Sequence, residues 1–264
     1  MTGVQKVGAH FEILDSVDST NNYAMGQVRS GLAGHGDVFF AFEQTQGKGQ
    51  RGKQWVAEPG KNLLLTIVLS PKTLKVREPF LLSATVALAC YDLFKIYSGA
   101  EALRIKWPND LYWQDRKAGG ILIENLWGAA GQPSAGDPEQ EPWRWAVVGI
   151  GLNINQLNFP EELTNPVSLR QITGKPKEQD LLELARALCN CLQLRLDQLT
   201  CSPADLLIKD YNIVLYKKGE SITLRKGDQT WNTQLNGVDQ QGVLHTGNGQ
   251  ETCFTWGEVE WIFD

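Results

Sequence analysis

Several classes of protein are excluded by what this chain lacks. An excess of basic residues is missing: 25 Lys and Arg stand against 30 Asp and Glu among 264 residues, a formal net charge of −5. Duplex affinity comes largely from Lys and Arg that meet phosphates, so this charge argues against a dedicated nucleic-acid binder. Any anion that the protein binds must be met by a few placed cations. Apolar residues at 42% and charged residues at 21% are near globular averages, which argues against a disordered, collagen-like or coiled-coil chain.

Long hydrophobic runs and a cysteine framework are also missing. No stretch approaches the ~18 uninterrupted apolar residues of a membrane span. The N-terminal segment MTGVQKVGAHFEILDS has neither the apolar core nor the cleavage site of a signal peptide. Five cysteines are an odd number without zinc-like spacing. The sequence therefore predicts a cytoplasmic protein with reduced thiols and no membrane association.

The pattern of apolar residues predicts a chain of mixed helices and strands. Strands are predicted at FEIL (11–14), DVFFAFE (37–43), NLLLTIVLS (62–70), LRIKW (103–107), GGILIENLW (119–127) and WAVVGIGLNI (145–154). Helices are predicted after the capping residues 18–20, over 80–97 as a core helix, and over 180–199 as an amphipathic helix. PNDLYWQDRKA (108–118) is predicted to join two of the strands, and 128–142 to form a surface loop. After Tyr211, short alternating strands with turn signals predict a small β-barrel, so domains are expected at 1–209 and 210–264.

A glycine-rich segment, GKGQRG (47–52), matches two nucleotide-binding fingerprints but lacks the context of both. The dinucleotide fingerprint needs a helix at its last glycine, and WVAEPG (55–60) contains Pro59 and Gly60. The P-loop needs Ser or Thr after its lysine, and Gln54 stands there. What remains is a loop with three cations, Lys48, Arg51 and Lys53. Residues 47–54 are expected to be disordered without ligand and to close over a polyanion; a solvated cationic hairpin turn is the alternative.

A second group of polar residues lies in RIKWPNDLYWQDRKAGG (104–120). Paired glycines that enter a strand cost stability unless a backbone or a ligand must come close. Lys117, which stands just before Gly119 and Gly120, is well placed to meet the charge of such a ligand. The alternative is a β-hairpin with charged tips.

Together these segments resemble the biotin protein ligase family. The resemblance rests on four motifs in order: DSTNNYA (18–24), QTQGKGQRGKQW (44–55), KWPNDLYWQDRKAGGILIE (106–124) and GIGLNI (149–154). It extends weakly to NGVDQQGVL (236–244) and so covers nearly the whole chain. The resemblance implies an α+β fold: a mixed-sheet catalytic domain of the biotin/lipoate ligase, class II synthetase-like type, followed by a small C-terminal SH3-like β-barrel.

The family chemistry implied by the resemblance is the ATP-dependent activation of biotin. Biotin's carboxylate would join the α-phosphate of ATP, and the resulting biotinyl-5'-AMP would acylate a lysine of the biotin carboxyl carrier protein of acetyl-CoA carboxylase. Mg²⁺ is expected with ATP, held by phosphates and water. Positioning and charge stabilisation dominate such chemistry, which needs no protein nucleophile. His10, His35 and His245 lie outside every motif and are interpreted as bystanders.

Site residues are carried over from the family position by position. Contacts to biotin are expected from Ser19, Thr20, Asn21, Gln44, Lys48, Gly49, Gln50, Lys117, Gly119 and Gly120. Contacts to the nucleotide are expected from Arg51, Trp55, Lys106, Asn109, Lys117 and Asn153. Lys117, Lys48 and Asp110 are the expected catalytic residues, with Lys117 bridging the biotin carboxylate and the α-phosphate. The alternatives are helix capping for 19–21, a core position for Trp55 and turn capping for Asp110.

This chain departs from the family at two loop positions, and two other functions remain as alternatives. Where the family usually has Arg-Gly-Arg, this chain has Lys48-Gly49-Gln50, so retention of the adenylate is expected to suffer more than its synthesis. A lipoate–protein ligase and a non-catalytic biotin or adenylate sensor are the rivals. Only 18 residues precede Ser19, too few for the DNA-binding domain of some bacterial relatives, so no DNA binding is expected. The sequence leaves a homodimer open.

Overall fold

The computed structural model describes residues 5–74, 76–99, 101–128, 142–163, 165–247 and 251–262. The strands are β1 (Phe11–Val17), β2 (Val38–Gln44), β3 (Leu63–Leu69), β4 (Leu103–Lys106), β5 (Asp110–Trp113), β6 (Arg116–Trp127), β7 (Trp143–Leu152), β8 (Ser221–Lys226), β9 (Gln229–Val238), β10 (Leu244–Thr246), β11 (Thr252–Phe254) and β12 (Glu260–Ile262). The helices are α1 (Thr20–Arg29), α2 (Pro71–Leu74), α3 (Pro79–Ser98), α4 (Leu169–Thr173), α5 (Leu181–Cys201) and α6 (Ala204–Ile213).

A seven-stranded mixed sheet forms the frame of the protein, in the order β1-β2-β3-β7-β6-β5-β4. The pair β1 and β2 is parallel, and the other neighbours are antiparallel. This confirms the predicted mixed-sheet α+β class.

The two faces of this sheet pack against different helices, because successive side chains of a strand point to opposite faces. Phe40 and Val148 belong to the large core that includes α3 and α5; this side is called the core face. Their neighbours Phe39 and Val147 pack with α1 on the other side, the α1 face.

Helix α3 confirms the predicted core helix. Pro79 begins it at a position where the missing N–H costs no helical hydrogen bond, and Gly99 ends it in a left-handed conformation at φ 63°. By length and composition alone the helix is apolar enough to cross a membrane, with a mean hydropathy of 1.4, but 72% of that stretch is buried inside the protein. Its apolar character therefore fits a core helix.

A second, antiparallel sheet at the C-terminal end has the order β11-β10-β9-β8-β12. It confirms the expected β-rich C-terminal part. Helix α6 spans the expected boundary at 209/210, and the sheet itself begins at Ser221; the division into two domains stays a prediction. The indole Nε1 of Trp107 donates to the carbonyl of Gly242 at 3.0 Å, which joins this part to the larger sheet.

One element differs from expectation. The segment predicted to join two strands contains β5, which pairs with both β4 and β6. Leu111 and Tyr112 are buried there. The strand has only four residues, and turn-forming residues stand at its start, Asn109-Asp110, and after its end, Gln114-Asp115, so in the sequence the segment looks like a continuous connection. Of the predicted loop 128–142, residues 129–141 lie outside the described residues.

Candidate active site

Three glycines of β6 and β7 leave space on the α1 face. Gly120 pairs with Gly151, and Gly149 pairs with both Leu122 and Thr66. A Cβ at Gly151 would stand 2.5 Å from the indole of Trp55, and one at Gly149 would overlap the amide of Asn21. Real Cβ atoms do not approach so closely, so these glycines make room for the polar and aromatic groups that line the site.

The start of α1 is buried in this space. Ser19, Thr20 and Asn21 are each at most 3% exposed. Ser19 holds the N-cap position, but its side chain makes no capping hydrogen bond. Instead the Thr20 backbone N–H and hydroxyl donate to Oε1 of Gln44, at 2.7 and 3.0 Å. The structure thus brings these four predicted biotin contacts together, and ordinary side-chain capping does not account for Ser19.

Two residues that sequence reasoning missed complete this network. The Thr66 hydroxyl lies 2.8 Å from the Thr20 hydroxyl and 2.6 Å from Oδ1 of Asn21. Asn21 in turn donates from Nδ2 to Glu124 at 2.8 Å. A single threonine within the buried run NLLLTIVLS was the available signal, since a buried polar group needs a partner.

Lys117 lies at the centre of the polar groups on this face. Its Nζ is 2.8 Å from Oδ1 of Asp110 and 6.0 Å from the ring centroid of Trp55. The two charged side chains remain 34% and 23% exposed, so an anion can reach them. Nε1 of Trp55 is buried without a hydrogen-bond partner among the described residues. A buried donor of this kind is expected to meet an acceptor from a bound molecule.

Asn153 and Asn109 fix the backbone around Lys117. The Asn153 N–H donates to the carbonyl of Ala118 at 2.9 Å, and its Nδ2 donates to that of Lys117 at 3.3 Å. Asn109 donates to the carbonyl of Ile121. Asn153 is 5% exposed and Asn109 6%. Their contacts position the strand; direct contacts to a nucleotide stay a prediction.

The two glycines after Lys117 face opposite ways. Gly120 faces the site, where a Cβ would come within 3.4 Å of Nζ of Lys117. Gly119 pairs with Leu152, a core-face residue, and a Cβ there would overlap that leucine's side chain. The geometry gives Gly119 a packing role, and its predicted biotin contact finds no support in this placement.

Lys106 is a largely buried cation beside the site. Its pKa is lowered to about 8, mainly by burial; Asp110 opposes this shift, and the nearby charges of Lys117 and Lys53 add to it. Its Nζ lies 5.4 Å from the ring of Tyr112 and 5.6 Å from that of Trp261, which β12 of the second sheet supplies. Cation–π contacts with these two rings stabilise the ammonium at a position where few water molecules can hydrate it.

The glycine-rich loop folds back on itself through a bridge between Lys48 and Gln54. No helix follows it over 53–58, which confirms that the two nucleotide fingerprints do not apply. Nζ of Lys48 is 3.7 Å from Glu124, and Nε2 of Gln50 donates to the carbonyl of Ile121 at 3.3 Å. Both side chains therefore reach the α1 face. Disorder of 47–54 without ligand stays a prediction.

Arg51 points elsewhere. Its guanidinium lies 5.7 Å from the Trp256 ring and 3.7 Å from a carboxylate oxygen of Glu260. The loop is thereby tied to the second sheet, an arrangement that no sequence signal indicated. The predicted nucleotide contact of Arg51 would require that it leave these partners.

Comparison of the sequence with known proteins gives the expected family. Residues 13–132 match the model of the biotin/lipoate A/B protein ligase family. The biotin–[acetyl-CoA-carboxylase] ligase of Paracoccus denitrificans is 30% identical over 242 residues, which cover 88% of this chain and 92% of that protein. The bifunctional ligase/repressor BirA of Escherichia coli is 33% identical over 158 residues, 60% of this chain and 44% of the relative.

Among solved structures, the biotin protein ligase from Aquifex aeolicus in complex with biotin and ATP superposes with a TM-score of 0.78. It is 22% identical, and the match covers 97% of this chain and 100% of that one. At this identity the likeness concerns the fold, and it confirms the fold expected from the four motifs.

Proposed function

Because the chain belongs to the biotin protein ligases, within the biotin/lipoate A/B protein ligase family, we propose that this ligase joins biotin to ATP and transfers it to a carrier lysine. In the first step a biotin carboxylate oxygen bonds to the α-phosphorus of ATP and pyrophosphate leaves. In the second, the carrier's lysine nitrogen bonds to the biotinyl carbonyl carbon, loses its proton, and AMP leaves. The acceptor is the biotin carboxyl carrier protein of acetyl-CoA carboxylase.

The observation that carries this proposal is the position of Lys117 above Gly120. Both substrates are anions, and they repel each other unless a cation lies between them. At an effective dielectric near 20, a cation ~4 Å from a phosphate oxygen contributes about 4 kcal/mol. Lys117 stands at the exposed side of its pair with Asp110, so it can exchange that carboxylate for the reacting anions.

The residues at the start of α1 support the proposal that biotin binds at this end of the site. Thr20 and Asn21 are buried and form a hydrogen-bonded group with the half-buried Gln44 below the glycine-lined space. Groups whose rotamers are fixed by their neighbours recognise a small polar ring system such as a ureido group with little loss of entropy. Trp55 would cover the opposite, nucleotide end.

Asp110 is proposed to receive the carrier's lysine. Once Lys117 pairs with the adenylate, the Asp110 carboxylate is free to accept a hydrogen bond from the incoming ammonium and to orient the amine after it loses a proton. The approach must lie on the α1 face, where both side chains are partly exposed.

Magnesium is proposed to arrive with ATP. Asp110 and Glu124 are each within ion-pair distance of a lysine, at 2.8 and 3.7 Å. Such pairing leaves these carboxylates poorly suited to a dedicated protein cage. The phosphates and water would supply most ligands, as Mg²⁺ prefers.

Incubation with ATP, labelled acid and a biotin carboxyl carrier domain tests the function. The expected result is carrier labelling with biotin and none with lipoate. Labelling with lipoate alone would favour the rival lipoate–protein ligase. Tight binding of biotin without pyrophosphate release or labelling would favour a non-catalytic sensor. A cytoplasmic location and the absence of DNA binding remain part of the proposal.

A further inference from the structure

A histidine, a glutamate and a cysteine converge on the hairpin of β10 and β11. His245 and Cys253 are directly paired across the two strands. Nδ1 of His245 lies 2.7 Å from Oε1 of Glu251 and 3.5 Å from Sγ of Cys253. The three ligand atoms all lie within 4.8 Å of one another.

Asp239 fixes the orientation of the imidazole. Its Oδ2 is 2.9 Å from Nε2 of His245, while its Oδ1 accepts from the backbone N–H groups of Gln241 and Val243 at 3.0 and 2.9 Å. The carboxylate therefore cannot turn away. With the proton held at Nε2, the lone pair of Nδ1 faces Glu251 and Cys253. Metal-binding histidines usually have this outer carboxylate.

A carboxylate only accepts hydrogen bonds, so a neutral His245 would set the lone pair of one ring nitrogen against Glu251 or Asp239. Either an imidazolium or a bound cation relieves that repulsion. The position of Cys253 suits a cation: Zn–N near 2.1 Å and Zn–S near 2.3 Å in a tetrahedron separate nitrogen and sulfur by about 3.6 Å, and the observed separation is 3.5 Å. Nδ1 of His245 and Oε1 of Glu251 are 2.7 Å apart, a hydrogen-bond distance that must widen to about 3.3 Å when both atoms bind the ion. Glu251 is exposed, so its carboxylate can make that movement.

We propose that His245 Nδ1, the Cys253 thiolate and Glu251 bind one divalent ion of the zinc class, with Asp239 as the outer partner of the histidine. Binding releases the thiol proton to solvent, and water completes the tetrahedron. The site is separate from the candidate active site and does not depend on the proposed function.

Titration of the tag-free, reduced chain with Zn²⁺, followed by Co²⁺ absorption spectroscopy, tests the proposal. One equivalent should bind, and Co²⁺ should give a thiolate-to-metal charge-transfer band. C253S should abolish that band, H245Q and E251Q should weaken binding at least tenfold, and D239N should weaken it ~10–100-fold while the band persists at saturation. The matched control is C201S, since Cys201 is also exposed but lies at the end of α5.

Circular dichroism of each variant confirms that the fold is intact. Because Cys253 and Glu251 are exposed, C253S and E251Q report on binding even if H245Q unfolds. The proposal is overturned if the wild-type chain binds no equivalent, or if C253S and E251Q bind as tightly as C201S. If His245 is an imidazolium that pairs with the two carboxylates and the cluster holds no metal, the wild-type chain will bind no equivalent.

Discussion

Strand β7 carries the two faces of the sheet in alternate residues. Ile150 and Leu152 are at most 3% exposed and belong to the core with α3 and α5. Gly149 and Gly151, between and beside them, leave the opposite face open for Asn21 and Trp55. At these positions the strand's own side chains fill the core face, whereas on the α1 face the glycines leave room for residues of other elements. Substitutions at alternate residues of β7 should consequently affect mainly stability on the core face and mainly ligand binding on the α1 face.

The largest expected effect is on the α1 face. Lys117→Ala should lower biotin-dependent pyrophosphate release roughly 10³-fold, because a cation near a phosphate contributes about 4 kcal/mol and each 1.4 kcal/mol is tenfold. Melting temperature should stay near wild type, since the side chain is partly exposed. Lys72→Ala on α2, also an exposed lysine, is the control. Wild-type release from K117A would remove Lys117 from the mechanism.

Alanine substitutions at two glycines on opposite faces of the sheet should affect activity and stability separately. Gly151→Ala would displace Trp55 and lower activity tenfold or more with little change in melting temperature. Gly119→Ala would crowd Leu152 and lower the free energy of unfolding by about 1–3 kcal/mol, an overpacking cost. Gly26→Ala in α1, with nothing within 4 Å, should be stabilising. The proposed contrast between the two faces is wrong if G119A loses activity without losing stability.

Two buried threonines offer the same contrast with a smaller effect. Thr66→Val removes one hydrogen-bond partner from the Thr20 hydroxyl and one from Oδ1 of Asn21, so the KM for biotin should rise about tenfold, equivalent to about 1.4 kcal/mol. The Thr85 hydroxyl donates only within α3, to the carbonyl of Leu81 at 2.7 Å, so Thr85→Val should leave the KM unchanged. An unchanged KM in T66V would contradict the proposed biotin network.

The smallest effect concerns pH. Lys106 loses its charge as pH rises through about 8, so the affinity of the free enzyme for ATP should fall a few-fold above that pH. The free energy of unfolding should rise over the same range, because the unfolded chain then binds more protons than the folded one. Lys106→Arg stays charged and should remove both changes. If ATP affinity and the free energy of unfolding change with pH in the same way in wild type and K106R, Lys106 does not have this role.

The sequence predicted the core face better than the α1 face. Apolar periodicity identified α3 and α5 because burial imposes a repeating pattern on the residues. The site side chains were found through motifs, but their geometry depends on pairs that are distant in sequence, such as Thr66 with Asn21. Gly119 shows the limit: two adjacent glycines look alike in a sequence, and only the register with Leu152 separates the packing glycine from the site glycine.

The second sheet was the least predictable part. Trp261 reaches Lys106 and Glu260 reaches Arg51 across more than 150 residues of chain. Single aromatic and acidic residues on short strands give no local signal for such contacts. Strand β5 was missed for a related reason, since turn-forming residues at its start and after its end concealed it.

Titration calorimetry of the wild-type chain with biotin, in the presence of a non-hydrolysable ATP analogue and Mg²⁺, tests the central claim most directly. We expect one biotin per chain, bound more tightly with the analogue than without it, and loss of that enhancement in K117A. No heat from either molecule, or equal enhancement in K117A, would contradict the claim that the α1 face brings two anions together through Lys117.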